Sequence, residues 1–372
     1  MPLSTLLRYA YGLRDVSVID ETRTPTTHHG LHDLLIAMLA DEVEELLHRG
    51  LANRYISLSE KLESPRGKIL IDELARQGGI TEARLSCQHF ERHTDWHLNQ
   101  ALRAGLDVAG RMTEDRELRR RVHRLAAMFR VVKQIHRLEV GDIDKAERSL
   151  TRLTAANASA LTIIRLLRIM QGVAFETTVD SSRTPGFLFD MNHFFQRLLS
   201  RFLRENLTDR RIMDERAIGD VFAYSRGANP KGRRAPKPRP DYALFHANKV
   251  AFIDAKYRDI WEKGLPAEWL YQLSIYALGS PFHVSVLLYA TMAREARDEQ
   301  IEIRQPVVWS ISGPAYVILR PVLLPRLAEL LHPPQNPGLA PVRRHFADDL
   351  VNLGVRVPAA GGPKRRRAAT RT

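Results

Sequence analysis

The sequence predicts an α/β protein (α+β overall) with two domains, a helical and partly stranded amino-terminal half followed by a central mixed sheet flanked by helices. Three observations predict it. The length of 372 residues suits two domains at about 100 to 200 residues each. Before residue 177 apolar residues recur mostly at helical spacing, and after residue 186 short β-branched and aromatic runs alternate with helical ones. With 44% hydrophobic and 27% charged residues, the chain falls within the globular range. No run reaches the roughly 20 apolar residues of a membrane helix, and Met1 to Val16 lacks the order of a secretory leader. One cysteine, Cys87, excludes an internal disulfide framework. The expectation is a cytoplasmic protein with no membrane association.

The elements follow in order. Leu31 to Leu51 places Leu34, Leu35, Met38, Leu39, Val43, Leu46 and Leu47 on one face, with Gly50 as a stop, and predicts a helix. Arg54 to Leu58 and Lys68 to Ile71, separated by Ser64-Pro65-Arg66-Gly67, predict short strands about a tight turn. Helical spacing resumes near Thr94 and predicts long helices over Glu114 to Leu138 and Asp144 to Met170. In the first of these, Leu118, Val122, Leu125, Met128, Phe129, Val132 and Ile135 form a buried stripe, so its arginines read as a solvated face. The polar stretch Thr177 to Gly186 reads as the domain boundary. Beyond it come a helix (Asp190 to Glu205), strands (Asp241 to Phe245 and Val250 to Tyr257), a helix (Ala267 to Leu278), a strand (His283 to Tyr289) and a last strand at Val307 to Ile311 or Tyr316 to Leu319. The expected division is 1–180, 181–332 and a Pro-rich, basic, poorly ordered tail over 333–372.

The formal charge of +13 is concentrated. Arg226, Lys231, Arg233, Arg234, Lys237 and Arg239 lie in a stretch without acids, and Arg356, Lys364, Arg365, Arg366, Arg367 and Arg371 lie in another. Both stretches are rich in Gly, Pro and Ala and read as loop and tail. The first leads directly into Pro240-Asp241, where phosphates would be gathered, and marks a nucleic-acid contact.

The strand Val250-Ala-Phe-Ile-Asp-Ala-Lys-Tyr257 sets Asp254 and Lys256 side by side, because residues i and i+2 share a face. Burying either charge unpaired would cost several kcal/mol, so packing alone does not account for the pair. A hairpin centred on Ala247-Asn248 would set Asp241 opposite Asp254, with Cβ atoms roughly 5 Å apart. Two carboxylates at that distance need a cation between them, and hard oxygen ligands suit Mg²⁺, with Mn²⁺ able to substitute. Such a site can activate water against a phosphodiester, with Lys256 orienting it and offsetting developing charge. Gln272 and Tyr276, one helical turn apart, share a face that could point at a phosphate or at Lys256.

Pro240-Asp241, Asp254-Ala-Lys256 and Gln272-x-x-x-Tyr276, in this order and spacing, resemble the PD-(D/E)xK nuclease superfamily in the branch with a Q-x-x-x-Y helix. Ile253-Asp-Ala-Lys-Tyr257 and Leu270-Tyr-Gln-Leu273 are similar to the McrC family, the nuclease subunits of McrBC modification-dependent restriction systems. Arg8-Tyr-Ala-Tyr11, Pro65-Arg66-Gly67 and Thr94-Asp95…Asn99 look like amino-terminal landmarks of that family. The resemblance implies a restriction-endonuclease-like domain preceded by a partner-docking domain. It implies Mg²⁺-dependent cleavage of modified DNA with Asp241, Asp254, Lys256, Gln272 and Tyr276 as site residues, and a AAA+ GTPase of the McrB type as partner. Arg66, beside the turn Gly67, is the candidate contact with that GTPase. One departure is Met191-Asn192-His193-Phe194-Phe195-Gln196, where many members carry Glu at the position of Gln196. An amide can ligate a metal or hold its water but adds no charge, so Gln196 is a weaker third ligand, for which Glu205 or Asp190 is expected to compensate.

No G-x-x-x-x-G-K-[ST] occurs, since Gly67-Lys68 is followed by Ile69, so the chain is expected to bind no nucleotide itself. Cys87-x-His89-x₃-His93-x₃-His97 has residue types suited to zinc, with His93 and His97 spaced i, i+4, but reads as incidental. His28-His29-x-x-His32 is assigned no role. Two other readings stay open, a catalytically impaired DNA-binding activator of the GTPase and a partner-independent DNA or RNA nuclease.

Overall fold

The computed structural model describes residues 3–13, 29–76, 83–176, 190–219, 221–246, 249–304, 314–332 and 336–354. The chain divides into two compact units, Gly12–Phe189 and a second that joins Met1–Tyr11 to Asp190–Thr372. Helix α1 (Leu3–Tyr11) therefore belongs with the carboxy-terminal half, which an unbroken 1–180 domain did not anticipate.

The unit Gly12–Phe189 contains α2 (His29–His48), β1 (Arg54–Leu62), β2 (Lys68–Ile69), α3 (Ile71–Arg76), β3 (Leu85–His93), α4 (His97–Met112), α5 (Arg116–Met128), α6 (Val140–Arg148) and α7 (Ala158–Glu176). Its helical core is built from Leu35, Ile36, Leu39, Val43, Leu98, Leu102, Leu106, Ile143, Leu161, Ile164 and Leu167, all at most 2% exposed. The two long helices expected here are interrupted. The first ends at Met128, and side chains then capture backbone groups a continuing helix would use: Lys133 N donates to Asp95 Oδ1 at 2.9 Å and Arg168 Nε to Leu138 O at 2.7 Å. The second is broken by Ser149 and Thr154, whose hydroxyls bond Ala146 O and Thr151 N and compete with the helical ladder. Asn99, fully buried, ties two strands of chain together by donating to Ala52 O and Thr94 O at 2.7 Å each.

The described strands of this unit pair in the order β1-β3-β2, all antiparallel. Strand β3 was not expected, and it changes the reading of the Cys/His cluster. Cys87 is buried within β3, His89 faces Glu60 at 3.4 Å, and His93 ends the strand while His97 opens α4, so the two histidines do not share a helix. No group of three His, Cys, Asp or Glu that could hold a metal is present among the described residues. Gly67 has φ +75°, and a Cβ there would lie 2.4 Å from Gln88 O. The turn carrying the exposed Arg66 thus needs glycine twice, for its backbone conformation and for its approach to β3.

The second unit holds α8 (Met191–Asn206), β4 (Arg211–Asp214), β5 (Tyr242–His246), β6 (Lys249–Lys256), α9 (Ile260–Lys263), α10 (Ala267–Leu278), β7 (Val284–Thr291), β8 (Glu299–Ile303), β9 (Ala315–Leu323), α11 (Leu324–Leu331) and α12 (Ala340–Leu350). Its sheet runs β4-β5-β6-β7-β9-β8, with β6, β7 and β9 parallel and the other pairs antiparallel. Strand β7 is buried along its whole length, as a central parallel strand covered on both faces should be. Helix α10 covers one face, over Phe252, Leu287, Tyr289, Val317 and Leu319, with Leu273 and Tyr276 facing them. Helix α8 packs on β6 and β4 and also touches α1 and α12.

Strands β4 and β8 are short, peripheral and half-exposed, and periodicity did not reveal them. The expected strand Val307 to Ile311 lies outside the described residues, and its alternative is found within β9. Helix α12 occupies part of the expected tail, with Phe346 edge-on to Phe202 at 5.9 Å and Arg320 donating to Leu350 O and Asn352 O. The tail expected to be poorly ordered past Val357 falls outside the described residues. No helix among the described residues is long and apolar enough to cross a membrane.

The two glycines with φ near +80° in the unit Gly12–Phe189 separate conformation from packing. Gly50→Ala, where nothing lies within 4 Å of the new Cβ, is expected to cost about 1 kcal/mol, and Gly67→Ala about 2 to 3 kcal/mol because Gln88 O and His89 must also move. Denaturant melts of the two variants check this, and equal losses would show that the close approach of Gly67 is relieved without cost.

Candidate active site

The hairpin β5–β6 places the charged cluster. Its register pairs Tyr242 with Ile253 and His246 with Lys249, as a hairpin centred on 247 and 248 requires. Continued by one residue, that register sets Asp241 opposite Asp254, and Asp241 Oδ2 accepts a hydrogen bond from Ala255 N at 2.8 Å. Alternation then puts Phe252, Asp254 and Lys256 on one face of β6, the face α10 covers.

Lys256 Nζ lies 2.6 Å from Asp254 Oδ2 and 3.7 Å from Asp241 Oδ2. Asp254 is 2% exposed, while the side chains of Asp241 and Lys256 are each 17% exposed. The site is thus open at one edge and dry at its base. Burial, reinforced by the charge of Asp254 and only partly offset by Lys256 and the Ala255 N–H, pushes Asp241 up to about 7. Burial disfavours the Lys256 ammonium, but the two carboxylates outweigh it, so its pKa lies above the ordinary lysine value. One lysine does not satisfy two carboxylates. Asp254 Oδ1 is buried with no hydrogen-bond partner among the described residues. An orphaned acceptor beside a carboxylate that resists ionisation is the donor set a hard divalent cation completes, so the residues fit Mg²⁺.

The third position of the expected metal set is on α8. Tyr242 Oη donates to the backbone carbonyl of Gln196 at 2.6 Å, and one helical turn earlier Asn192 Oδ1 accepts from Tyr257 N at 2.8 Å. These two bonds clamp α8 to the ends of β5 and β6. The Gln196 side chain is half-buried, and its amide bonds no residue of the site. Both suggested supplements already hold partners. Asp190 caps α8 by accepting from His193 N at 2.9 Å, and Glu205 accepts from Tyr9 Oη and Arg201 Nε. The described carboxylates of the site remain two, Asp241 and Asp254.

Gln272 and Tyr276 do face each other, Gln272 Nε2 donating to Tyr276 Oη at 2.6 Å. Tyr276 is 1% exposed and packs on Phe252, with ring centroids 6.4 Å apart. Burial pushes its hydroxyl up to about 12 although the Gln272 bond works the other way, and the nearby charges of Asp254 and Asp241 add to the rise. Tyr276 therefore belongs to the packed wall near the carboxylates, and the partly exposed Gln272 is bonded to it. The side chain of α10 that reaches Lys256 is Trp269, whose ring centroid is 5.9 Å from Lys256 Nζ. Sequence reasoning missed Trp269, since an aromatic in the first turn of an apolar helix reads as core, and it passed over Asn192 within a motif it did inspect.

Arg226, Lys231, Arg233, Arg234, Lys237 and Arg239 are all exposed, and none has a carboxylate partner among the described residues. The loop carrying them is shut at its base by Ile218 N→Pro238 O at 2.8 Å and Glu215 N→Asp241 O at 3.0 Å. Its two ends are thereby held at the residue that opens the site. Arg66 is exposed in the other unit, on the Gly67 turn.

The family profile described as McrBC 5-methylcytosine restriction system component matches residues 2–290. Among solved structures, a refined half-complex from a tetradecameric assembly of Thermococcus gammatolerans McrB AAA+ hexamers with bound McrC matches with a TM-score of 0.60 at 19% identity, covering 94% of this chain and 75% of that one. A cryo-EM structure of the T. gammatolerans McrBC complex matches with a TM-score of 0.42 at 22% identity, covering 56% of this chain and 59% of that one. No curated protein matches. The profile spans the unit Gly12–Phe189 and runs through β5, β6, α10 and most of β7, so this chain belongs to the family of McrBC 5-methylcytosine restriction system components.

Proposed function

We propose that this chain is the endonuclease subunit of a modification-dependent restriction system, cleaving DNA phosphodiester bonds and stimulating a partner AAA+ GTPase of the McrB type. The observation that supports this most directly is the Asp241–Asp254–Lys256 cluster, with a buried carboxylate oxygen left unmatched at the base of an open site. Asp241 and Asp254 would hold Mg²⁺, or Mn²⁺ in its place, with the Gln196 amide as a neutral third group, and the ion would supply a more acidic water and neutralise charge on the phosphate. Lys256, kept protonated by its two carboxylates, would use its remaining N–H to orient the attacking water and its charge to stabilise what develops on the phosphoryl oxygens. Tyr276, held by the Gln272 amide, keeps the wall behind the carboxylates dry. The six cations of the loop ahead of Asp241 draw the DNA backbone to a site whose own carboxylates would repel it. Arg66 is the proposed contact with the GTPase, and nucleotide hydrolysis and recognition of modified bases belong to that partner.

With the GTPase present, Asp254→Ala and Lys256→Ala are expected to lower Mg²⁺-dependent cleavage of modified duplex DNA by at least about a thousandfold while GTPase stimulation stays at the wild-type level. Gel-based cleavage alongside phosphate-release assays makes the comparison. Retained cleavage in both variants would remove the proposed site, and a wild-type chain that stimulates GTP hydrolysis without cutting would favour the impaired-activator reading, for which the neutral Gln196 is the specific motive.

The same cluster has a signature in stability. Lys256→Ala leaves two buried carboxylates without their cation and is expected to destabilise the protein by roughly 2 to 3 kcal/mol in chelator. Added Mg²⁺ should recover more of the thermal midpoint in Lys256→Ala than it adds to wild type, as scanning calorimetry can show. An equal response to Mg²⁺ in both would mean that these carboxylates do not bind the ion.

A further inference from the structure

We infer that Arg258 is a phosphate-binding residue of this site and that Trp269 is the positioning residue that sets it there beside Lys256. The inference rests on the nuclease reading above. Trp269 stands in the first turn of α10, half-buried against the cluster formed by Phe252, Leu273 and Tyr276, so its ring is carried by a packed element. Two cations lie against that ring, Lys256 Nζ at 5.9 Å from its centroid and Arg258 Cζ at 5.6 Å.

The two cations differ in what else they hold. Lys256 is committed to two carboxylates. Arg258 is exposed, and among the described residues it has no ion pair and no hydrogen bond to any carbonyl or side chain. The neighbouring acid does not claim it, because Asp259 Oδ1 caps α9 by accepting from Glu262 N and its Oδ2 accepts from Thr291 Oγ1 at 2.7 Å. An exposed arginine with no partner would ordinarily spread over many rotamers. Here cation–π attraction, worth about 0.5 to 1 kcal/mol at an exposed site, biases it toward the indole and leaves its fork of N–H donors without a protein partner among the described residues. That fork matches two oxygens of a phosphate, and the nearest functional groups are those proposed to act on a phosphodiester. The ligand class is therefore the sugar–phosphate backbone, read without regard to base.

The test uses the full chain, a fluorescein-labelled duplex oligonucleotide and Ca²⁺ in place of Mg²⁺, with binding followed by anisotropy between about 50 and 200 mM salt. Arg258→Ala should reduce the slope of log affinity against log salt by about 0.9, the share of one phosphate, whereas Arg258→Lys should keep the slope. Single-turnover cleavage in Mg²⁺, with the partner GTPase and GTP present, should fall about ten- to a hundredfold in Arg258→Ala and less in Arg258→Lys, which cannot offer two parallel donors. Trp269→Ala should reproduce the loss seen in Arg258→Ala, the double variant should be little worse than either single one, and Trp269→Phe, which keeps an aromatic face and the packing, should retain most of the activity. A wild-type slope and wild-type cleavage in Arg258→Ala would overturn the phosphate contact while leaving the nuclease reading in place. A reduced slope in Arg258→Ala with no cleavage by wild type would keep the contact and remove the nuclease. Full additivity of the Trp269 and Arg258 substitutions, or loss of the wild-type fold in Trp269→Phe, would overturn the positioning role.

Discussion

Two carboxylates at the end of one hairpin constrain much of the carboxy-terminal unit. Asp241 and Asp254 face each other across β5 and β6, one nearly buried and the other mostly so, and they persist there only because Lys256 stands between them. The lysine cannot leave without stranding two charges in a medium of low dielectric. Its own burial is tolerated because both carboxylates favour its charged form. What surrounds the trio serves this balance. The Ala255 N–H holds Asp241, Phe252 and Tyr276 keep the base apolar, and Trp269 offers the lysine a polarisable face on the side where no acid reaches it. Even so the charge is incompletely matched, and the unmatched oxygen of Asp254 is where reactivity can enter.

Most of this arrangement was legible in the sequence because the period of a strand is two and only two residues separate β5 from β6. With both fixed, the identity of the residue opposite Asp254 is arithmetic, and the register found is the register expected. Helix α10 was equally plain, running Ala267–Leu278 between Pro266 and Gly279, which are a start and a stop signal. What stayed hidden lacked a period long enough to read. Strand β3 is a run in which polar and apolar residues do not alternate, because neither face of the small sheet β1-β3-β2 is uniformly buried. Strand β4 has four residues and β8 five, and their existence is decided by the neighbour each pairs with. The breaks within the long helical stretches depend on hydroxyls that bond their own backbone, which a hydrophobic stripe does not register.

Helix α1 shows why two distant stretches of sequence form one unit. Its Tyr9 and Tyr11 lie under Arg201 and Arg197 of α8, at 4.7 and 4.9 Å from ring centroid to guanidinium carbon, and Tyr9 Oη donates to Glu205. These contacts explain the Arg8-Tyr-Ala-Tyr11 landmark as a clasp on α8. On a different side, α8 is bonded to the site through Tyr242 and Asn192. A helix gripped by α1 and α12 on its outer side and by β5 and β6 on its inner side has little freedom to shift Gln196. On the proposed reading that rigidity matters more here than in a site with a third carboxylate, because an amide has no charge with which to draw itself to a metal and would have to be brought there by its helix.

The concentration of charge follows from the same electrostatics. A phosphodiester approaching Asp241 and Asp254 meets a field of its own sign, and a lysine already shared between two acids cannot reverse it. Cations that do reverse it must be close yet must not collapse onto the carboxylates, where they would occupy the place of the proposed metal. A loop whose base is bonded at Asp241 and Pro238, and whose arginines and lysines all point into solvent, meets both conditions, because closure sets the distance and exposure keeps the charges hydrated. Gly227 and Gly232, both with positive φ, turn the chain within it, and Asn229 bonds the backbone of Arg233 at both N and O, so the stretch from Arg226 to Arg239, which holds no acid, is shaped by its own backbone. An acid placed within that stretch to rigidify it would have weakened the field the six cations supply.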